Sequence, residues 1–93
     1  MMKSKAFRSK RYLQWVKTQP CVLCGSPADD AHHIIGTGNL SGMGMTAPDV
    51  FTMPACRQHH TTIHQSPEVW SAQWEWIART LAKAVAEGVL AVA

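Results

Sequence analysis

Apolar side chains recur at helical spacing in two parts of this 93-residue chain, one toward each end. Between Arg8 and Thr18 they cluster as on one side of an amphipathic helix, and Pro20 limits how far that helix can run. After Pro67 they recur every three or four residues, which is the period of an α-helix. The apolar positions are Tyr12, Leu13, Trp15 and Val16 in the first predicted helix, and Trp70, Trp74, Ile77, Leu81 and Val85 in the second.

The second predicted helix carries its own start and stop signals. Ser66 is a residue type that caps helix N-termini, Pro67 suits the first helical position, and Glu68 places an acid in the first turn. Gly88 is the residue type that commonly ends a helix. We expect tryptophans of this helix to pack over the core rather than to stack on nucleic-acid bases, in particular Trp70 and Trp74.

Two short segments between these helices are rich in β-branched or apolar residues and predict strands. They are residues 32–35 and 49–53. Four of the six glycines lie between them, from Gly36 to Gly44. This composition predicts a flexible loop, which either only joins the two strands or lets the main chain approach a nucleic-acid backbone.

A central helix is predicted to begin at Cys56 and to run through His64. At about 100° per residue, Cys56 and His59 fall on one stripe of this helix, whereas His60 and His64 share a neighbouring stripe. Two pairs of potential metal ligands therefore leave one helix in two directions.

The small size and the cysteine content of the chain predict a metal-stapled domain. A core of this size is marginal without an added cross-link. The three cysteines cannot all pair as disulfides, and the polar start of the chain resembles neither a signal peptide nor a membrane span. We therefore expect one cytoplasmic domain over residues 8–93, with no membrane partner, in which closely spaced cysteines bind metal.

The net charge of +3 is unevenly distributed along the chain. The first acidic residue is Asp29, so every charged side chain in the first 28 positions is basic. Residues 1–7 are predicted to be a disordered basic tail. A patch of one sign favours a polyanion such as DNA, although a basic tail is as often only a solvated end. The basic side chains expected to face outward from the first helix are Arg8, Lys10, Arg11 and Lys17.

Thiol and imidazole ligands with matching spacing predict a structural zinc site. Cys21 and Cys24 form one pair, and Cys56 and His59 form a second pair with the same spacing. Structural zinc takes four nitrogen or sulfur ligands in a tetrahedron, often as two such pairs. The alternative is that Cys56 is a buried free thiol and that His59 is merely exposed.

The four histidines that remain predict a second centre: His32, His33, His60 and His64. His60 and His64 lie four positions apart on a helix, so both imidazoles reach one ion, and a strand histidine can supply a third ligand. Three protein ligands with an open position are typical of a catalytic ion. The other strand histidine would be free to act as a base near neutral pH. Spacing alone does not decide which strand histidine faces the ion.

The order of these motifs resembles the HNH nucleases, a ββα-metal group within the His-Me finger enzymes. The motifs are CxxC, a histidine pair before two β-branched residues, a glycine-rich segment and C-x-x-H-H-x-x-x-H. More narrowly, residues 32–36, 42–44, 49–52 and 56–60 are similar to the phage and prophage Ref-type (RecA-dependent) nuclease domain and its small YbcO-like prophage relatives. The resemblance covers about residues 12–90 and implies a small α+β ββα-metal domain with a zinc knuckle and flanking N- and C-terminal helices.

The resemblance also implies residue roles. His32 would bind the catalytic ion together with His60 and His64, and His33 would be the general base that activates water. The family's base-orienting Asn has no counterpart at the expected place, and we expect Asp49 to take that role. The ion would be Mg²⁺, Mn²⁺ or Zn²⁺, in addition to the structural Zn²⁺.

We therefore predict a metal-dependent DNA endonuclease associated with phage or prophage recombination and possessing little sequence preference. Arg57 and the basic first helix would contact DNA phosphates, and the Ref-type resemblance raises a RecA-like recombinase filament as a partner. One alternative is a zinc-finger module that binds DNA without catalysis. Another is a zinc domain that binds protein, with an incidental basic face. The sequence indicates no oligomeric state.

Overall fold

The computed structural model describes residues 7–36 and 46–91. Within that part the chain has an α+β architecture, which confirms the predicted class. Its elements are helix α1 (Lys10–Lys17), strand β1 (Asp30–His33), strand β2 (Thr52–Ala55), helix α2 (Arg57–Gln65), a 3₁₀ helix (Pro67–Ala72) and helix α3 (Gln73–Ala86). None of the described helices is long and apolar enough to cross a bilayer.

Two sequence predictions fall partly outside the described residues. The predicted tail is described only at Phe7, whose carbonyl accepts a hydrogen bond from the Asp49 backbone N–H at 2.9 Å. The predicted glycine-rich loop is described only at Gly36.

Helix α1 forms where the apolar pattern predicts a helix, but it begins two residues later than Arg8. Ser9 is the N-cap, because its side chain accepts the Tyr12 backbone N–H at 3.1 Å. Tyr12 and Val16 are buried and pack against Ala84 of α3. This contact fixes the first helix against the last one.

The two strands pair antiparallel, with His32 opposite Met53 and His33 opposite Thr52. Both predicted strand ranges overlap the observed strands but have the wrong limits. Strand β1 begins before residue 32, and β2 begins after residue 49. Asp49 lies in a turn instead, because the Phe51 N–H reaches the Pro48 carbonyl at 2.9 Å and the Thr52 hydroxyl donates to the Asp49 carbonyl at 2.8 Å. The turn holds Asp49 beside the start of β2.

The long helix predicted after Ser66 is in fact a 3₁₀ helix followed by α3. The Ser66 side chain makes no capping hydrogen bond, so that part of the prediction was wrong. The Ser66 backbone bridges two elements instead: its N–H donates to the Ile63 carbonyl at 3.3 Å and its carbonyl accepts the Val69 N–H at 3.0 Å. Gly88 ends α3 with φ of +74°, as predicted.

The core beneath the strands is formed by Ile34, Ala47, Met53, Ile63 and Ile77. Trp70 packs against it, as predicted, and its indole N–H donates to the Ile63 carbonyl at 2.8 Å. Trp74, also predicted to be core, is 46% exposed. That prediction was wrong because Gln73 and Ile77, four positions apart, form the inner stripe of α3, and Trp74 lies one residue past it.

Replacing Gly36 with alanine is expected to lower the free energy of unfolding by about 2–5 kcal/mol. Gly36 has φ of +78°, which costs an L-residue about 1–2 kcal/mol. A Cβ there would also overlap the indole ring of Trp70, and overpacking costs about 1–3 kcal/mol. Urea unfolding followed by circular dichroism measures the change.

Gly88→Ala is the matched control, because Gly88 also has positive φ but a Cβ there meets open space. This variant should lower the free energy of unfolding only by the cost of the positive φ, about 1–2 kcal/mol. Equal losses in the two variants would contradict the close packing of Gly36 on Trp70.

Candidate metal centres

The four predicted zinc ligands, Cys21, Cys24, Cys56 and His59, lie together, with their ligand atoms within 4.8 Å of one another. The Sγ atoms of Cys24 and Cys56 are 3.8 Å apart, and Nδ1 of His59 is 3.2 Å from the Cys56 sulfur. Two sulfurs bound to one tetrahedral zinc at about 2.3 Å lie about 3.8 Å apart, whereas a disulfide requires about 2.0 Å. The Cys₃His cluster therefore has the spacing to bind a metal such as zinc.

Backbone hydrogen bonds shape the turn that carries the first two thiols. The Gly25 N–H donates to the Cys21 carbonyl at 2.8 Å, and the Cys21 N–H donates to the Ser26 carbonyl at 2.7 Å. Hydrogen bonds from Ser26 lower the pKa of Cys24 to about 6. The thiolate is the form that binds metal, so the turn favours the ligand state of Cys24.

His32, His60 and His64 form a second cluster, whose ligand atoms also lie within 4.8 Å of one another. Nε2 of His60 is 3.1 Å from Nε2 of His64. Two nitrogens bound to one tetrahedral ion at about 2.1 Å lie about 3.4 Å apart, close to this separation. The sequence left open which strand histidine joins the helix pair. In the structure this histidine is His32. It is 1% exposed, and its ring lies edge-on to the imidazoles of His60 and His64.

Asp30 orients His60 within this cluster. Its Oδ2 accepts a hydrogen bond from Nδ1 of His60 at 2.9 Å and another from Nε of Arg57 at 3.0 Å. The hydrogen bond from His60, assisted by Arg57, holds the pKa of Asp30 below its usual value. An ionised carboxylate on Nδ1–H leaves Nε2 of His60 with a free lone pair, the arrangement that metal-binding histidines commonly show.

His33 points away from His32, as neighbours on a strand do, and contacts Asp49. Its Nε2 lies 2.8 Å from Oδ1 of Asp49, while Oδ2 of Asp49 accepts the Ser9 backbone N–H at 2.7 Å. Burial alone would raise the pKa of Asp49, but hydrogen bonds from His33, Ser9 and Arg8 outweigh it, and the pKa is lowered. The ionised carboxylate thus holds Nε2–H of His33 and leaves Nδ1 as the basic nitrogen.

The basic residues predicted to meet DNA are not equivalent. Lys10, Arg11 and Lys17 are exposed on α1. Arg8 is exposed as well, but its predicted place on the helix was wrong: it precedes α1, and its guanidinium donates to the Ala47 carbonyl at 2.6 Å and to Asp49 at 3.1 Å. Arg57 pairs with Asp30, yet its side chain is 73% exposed.

An open cleft of about 230 Å³ connects the two groups of histidines. His33 lines it together with His60 and His64. A second open cleft, lined by Lys10, His33 and Asp49 among others, continues toward the start of α1. A ligand in these clefts would therefore lie against the histidines and within reach of a basic side chain.

A family model described as "Protein of unknown function (DUF968)" matches residues 1–88. The chain belongs to this DUF968 family. The Escherichia coli (strain K12) protein named "Uncharacterized protein YdfU" is 45% identical over 93 residues, a match that covers 96% of the chain and 26% of that protein. The chain thus spans about a quarter of this relative's length. No solved structure matches it.

Two polar residues of this DUF968 domain contact the histidine cluster and were missed by sequence reasoning. Asp30 bonds to His60, and the buried Gln73 bonds to His32. The acidic pair Asp29-Asp30, one residue before His32, was the available signal for the first contact. Gln73 gave none, because it lies 41 positions from its partner, on a helix whose predicted inner face was apolar.

Proposed function

We propose that the protein is a metal-dependent DNA endonuclease with an HNH-type ββα-metal site. One observation carries the proposal: three imidazoles converge on one point, and a fourth, His33, held by an ionised carboxylate, lines the same cleft. A purely structural metal site needs neither the open cleft nor the extra oriented histidine. Phosphodiester hydrolysis needs both parts, an electrophilic centre and a base that activates water.

The residues divide the work as follows. A divalent ion held by His32, His60 and His64 would stabilise the negative charge that develops on the phosphate and on the leaving oxygen. His33 takes a proton from water at Nδ1, while Asp49 holds its Nε2–H and stabilises the positive charge that the ring gains. The water oxygen then bonds to phosphorus as the bond to the 3′ oxygen breaks. The leaving 3′ oxygen takes a proton from solvent, and His33 returns its proton to solvent, so the products are a 5′ phosphate and a 3′ hydroxyl.

The exposed basic side chains of α1 supply affinity for the substrate backbone. Lys10 lines the cleft that contains His33, and Arg11 and Lys17 lie exposed on the same helix. Phosphate contacts of this kind are independent of sequence and weaken with added salt. DNA cleaved with little sequence preference is the substrate that fits this surface.

The competing function is a zinc-finger module that binds DNA without cleaving it, and it is supported by the Cys₃His cluster alone. Incubation of a supercoiled plasmid with the wild-type protein separates the two. With Mg²⁺, Mn²⁺ or Zn²⁺ supplied in turn, we expect at least one ion to support conversion to the nicked form, and excess chelator to stop it. Retarded migration of DNA in a gel without nicking under any ion would favour the binding module.

A further inference from the structure

Gln73 is fully buried at the first position of α3 and uses its whole side-chain amide. Its Oε1 lies 2.9 Å from Nε2 of His32 and accepts the Ile35 backbone N–H at 3.1 Å. Its Nε2 donates to the carbonyls of Ile35 and Trp70, both at 3.0 Å. Because two carbonyls accept from the amide nitrogen and a backbone N–H donates to the amide oxygen, the amide has one orientation only.

This orientation fixes the tautomer of His32. An amide oxygen only accepts, so Nε2 of His32 carries the hydrogen and Nδ1 does not. Nδ1 is buried and has no hydrogen-bond partner in the described part of the chain. The one lone pair that His32 can offer an ion is therefore on Nδ1.

We propose that Gln73 is a positioning residue for the three-histidine centre: it fixes the tautomer and ring orientation of His32 so that Nδ1 is presented to the ion. The inference rests on the metal centre of the proposed nuclease. Because Gln73 is neutral, it orients the imidazole without adding negative charge beside the ion, in contrast to Asp30 on His60. Helix α3 thereby sets the geometry of a ligand 41 positions earlier in the chain.

Two substitutions separate positioning from a structural role. Gln73→Met has similar length but loses the oxygen that accepts from His32 and the bonds to Ile35 and Trp70. Gln73→Glu keeps an oxygen for His32 and loses at least one bond to the carbonyls. Both variants should be less stable, but only the first loses the partner of Nε2. Thr80→Val is the matched control, because it removes a buried hydroxyl of α3 that, among the described residues, bonds to the Trp76 carbonyl alone.

Cobalt titration against a competing chelator measures the affinity of each centre for the ion. Thiolate-to-cobalt charge-transfer bands follow binding at the cysteine cluster, and d–d bands follow binding at both centres, so the difference gives the histidine centre. For Gln73→Met we expect about 10–100-fold weaker binding at the histidine centre and unchanged binding at the cysteine cluster. Gln73→Glu and Thr80→Val should stay within about threefold of wild type by the same reasoning. Equal affinity of all four proteins, or equal loss in both Gln73 variants, overturns the inference.

A second measurement needs no variant. Nitrogen-15 NMR of the protein loaded at the cysteine cluster alone should find His32 with hydrogen on Nε2 and none on Nδ1. A hydrogen on Nδ1, or a wild type that binds cobalt only at the cysteines, overturns the inference. Failure of the nuclease proposal looks different: the wild type would bind both ions with the expected dependence on Gln73 and yet leave plasmid DNA intact.

Discussion

His33→Ala is expected to reduce plasmid nicking by about 10²–10⁴-fold, which is the range that a general base contributes. The substitution removes the basic nitrogen beside the histidine cluster but no ligand of either metal centre. Asp49 keeps its bonds to Ser9 and Arg8, so the turn that holds it should remain folded. Initial nicking rates at saturating ion, compared between wild type and variant, measure the loss.

Two controls make this result interpretable. Circular dichroism and metal content should show the variant folded, with both ions bound. Thr62→Ala changes an exposed residue of α2 that does not line the cleft, and it should nick at the wild-type rate. Nicking by His33→Ala at an undiminished rate would remove His33 from the mechanism and direct attention to the ligands themselves.

Cys24→Ala, or a strong chelator, is expected to unfold the domain. Structural zinc contributes about 10–16 kcal/mol of apparent binding energy in zinc-finger peptides, comparable with the whole stability of a small domain, about 5–15 kcal/mol. The Cys24 side chain is exposed, so its removal costs little packing by itself. Loss of helical circular dichroism, and of a cooperative thermal transition, measures the effect.

Leu23→Ala is the neighbouring control, since Leu23 is 39% exposed and its ligand neighbours remain. It should stay within about 0.5 kcal/mol of wild type, as surface substitutions usually do. A Cys24→Ala protein that melts like the Leu23→Ala protein would show that the cysteine cluster does not staple the fold.

Local spacing in the sequence predicted the parts of the site that lie on one element. The i, i+3 and i, i+4 spacing of Cys56, His59, His60 and His64 assigned ligands of two clusters to one helix. In the structure the three histidines lie on α2, and Cys56, predicted to begin the helix, is its N-cap. The strand limits were wrong because β-branched content does not reveal the hydrogen bonds of the turn at Asp49. Tertiary contacts there override the preference of the residues.

Contacts between distant elements were harder to predict. Asp49 was expected to orient the base, and it lies 2.8 Å from His33, yet the support from Arg8 and Ser9 was not foreseen. A single glutamine has no periodicity, so the pattern of apolar and polar residues in the sequence did not indicate a role for Gln73. Such polar partners become visible only when the packing of α3 against β1 and β2 is known.

The turn that carries Cys21 and Cys24 also covers the outer edge of β2. Pro54 turns its carbonyl to the outer side of β2, where the Val22 N–H donates to it at 3.0 Å, and proline itself has no N–H to offer on that edge. An uncovered strand edge is a template for pairing with another chain. Loss of metal from the cysteine cluster is therefore expected to loosen this turn, to expose the strand edge and to promote aggregation.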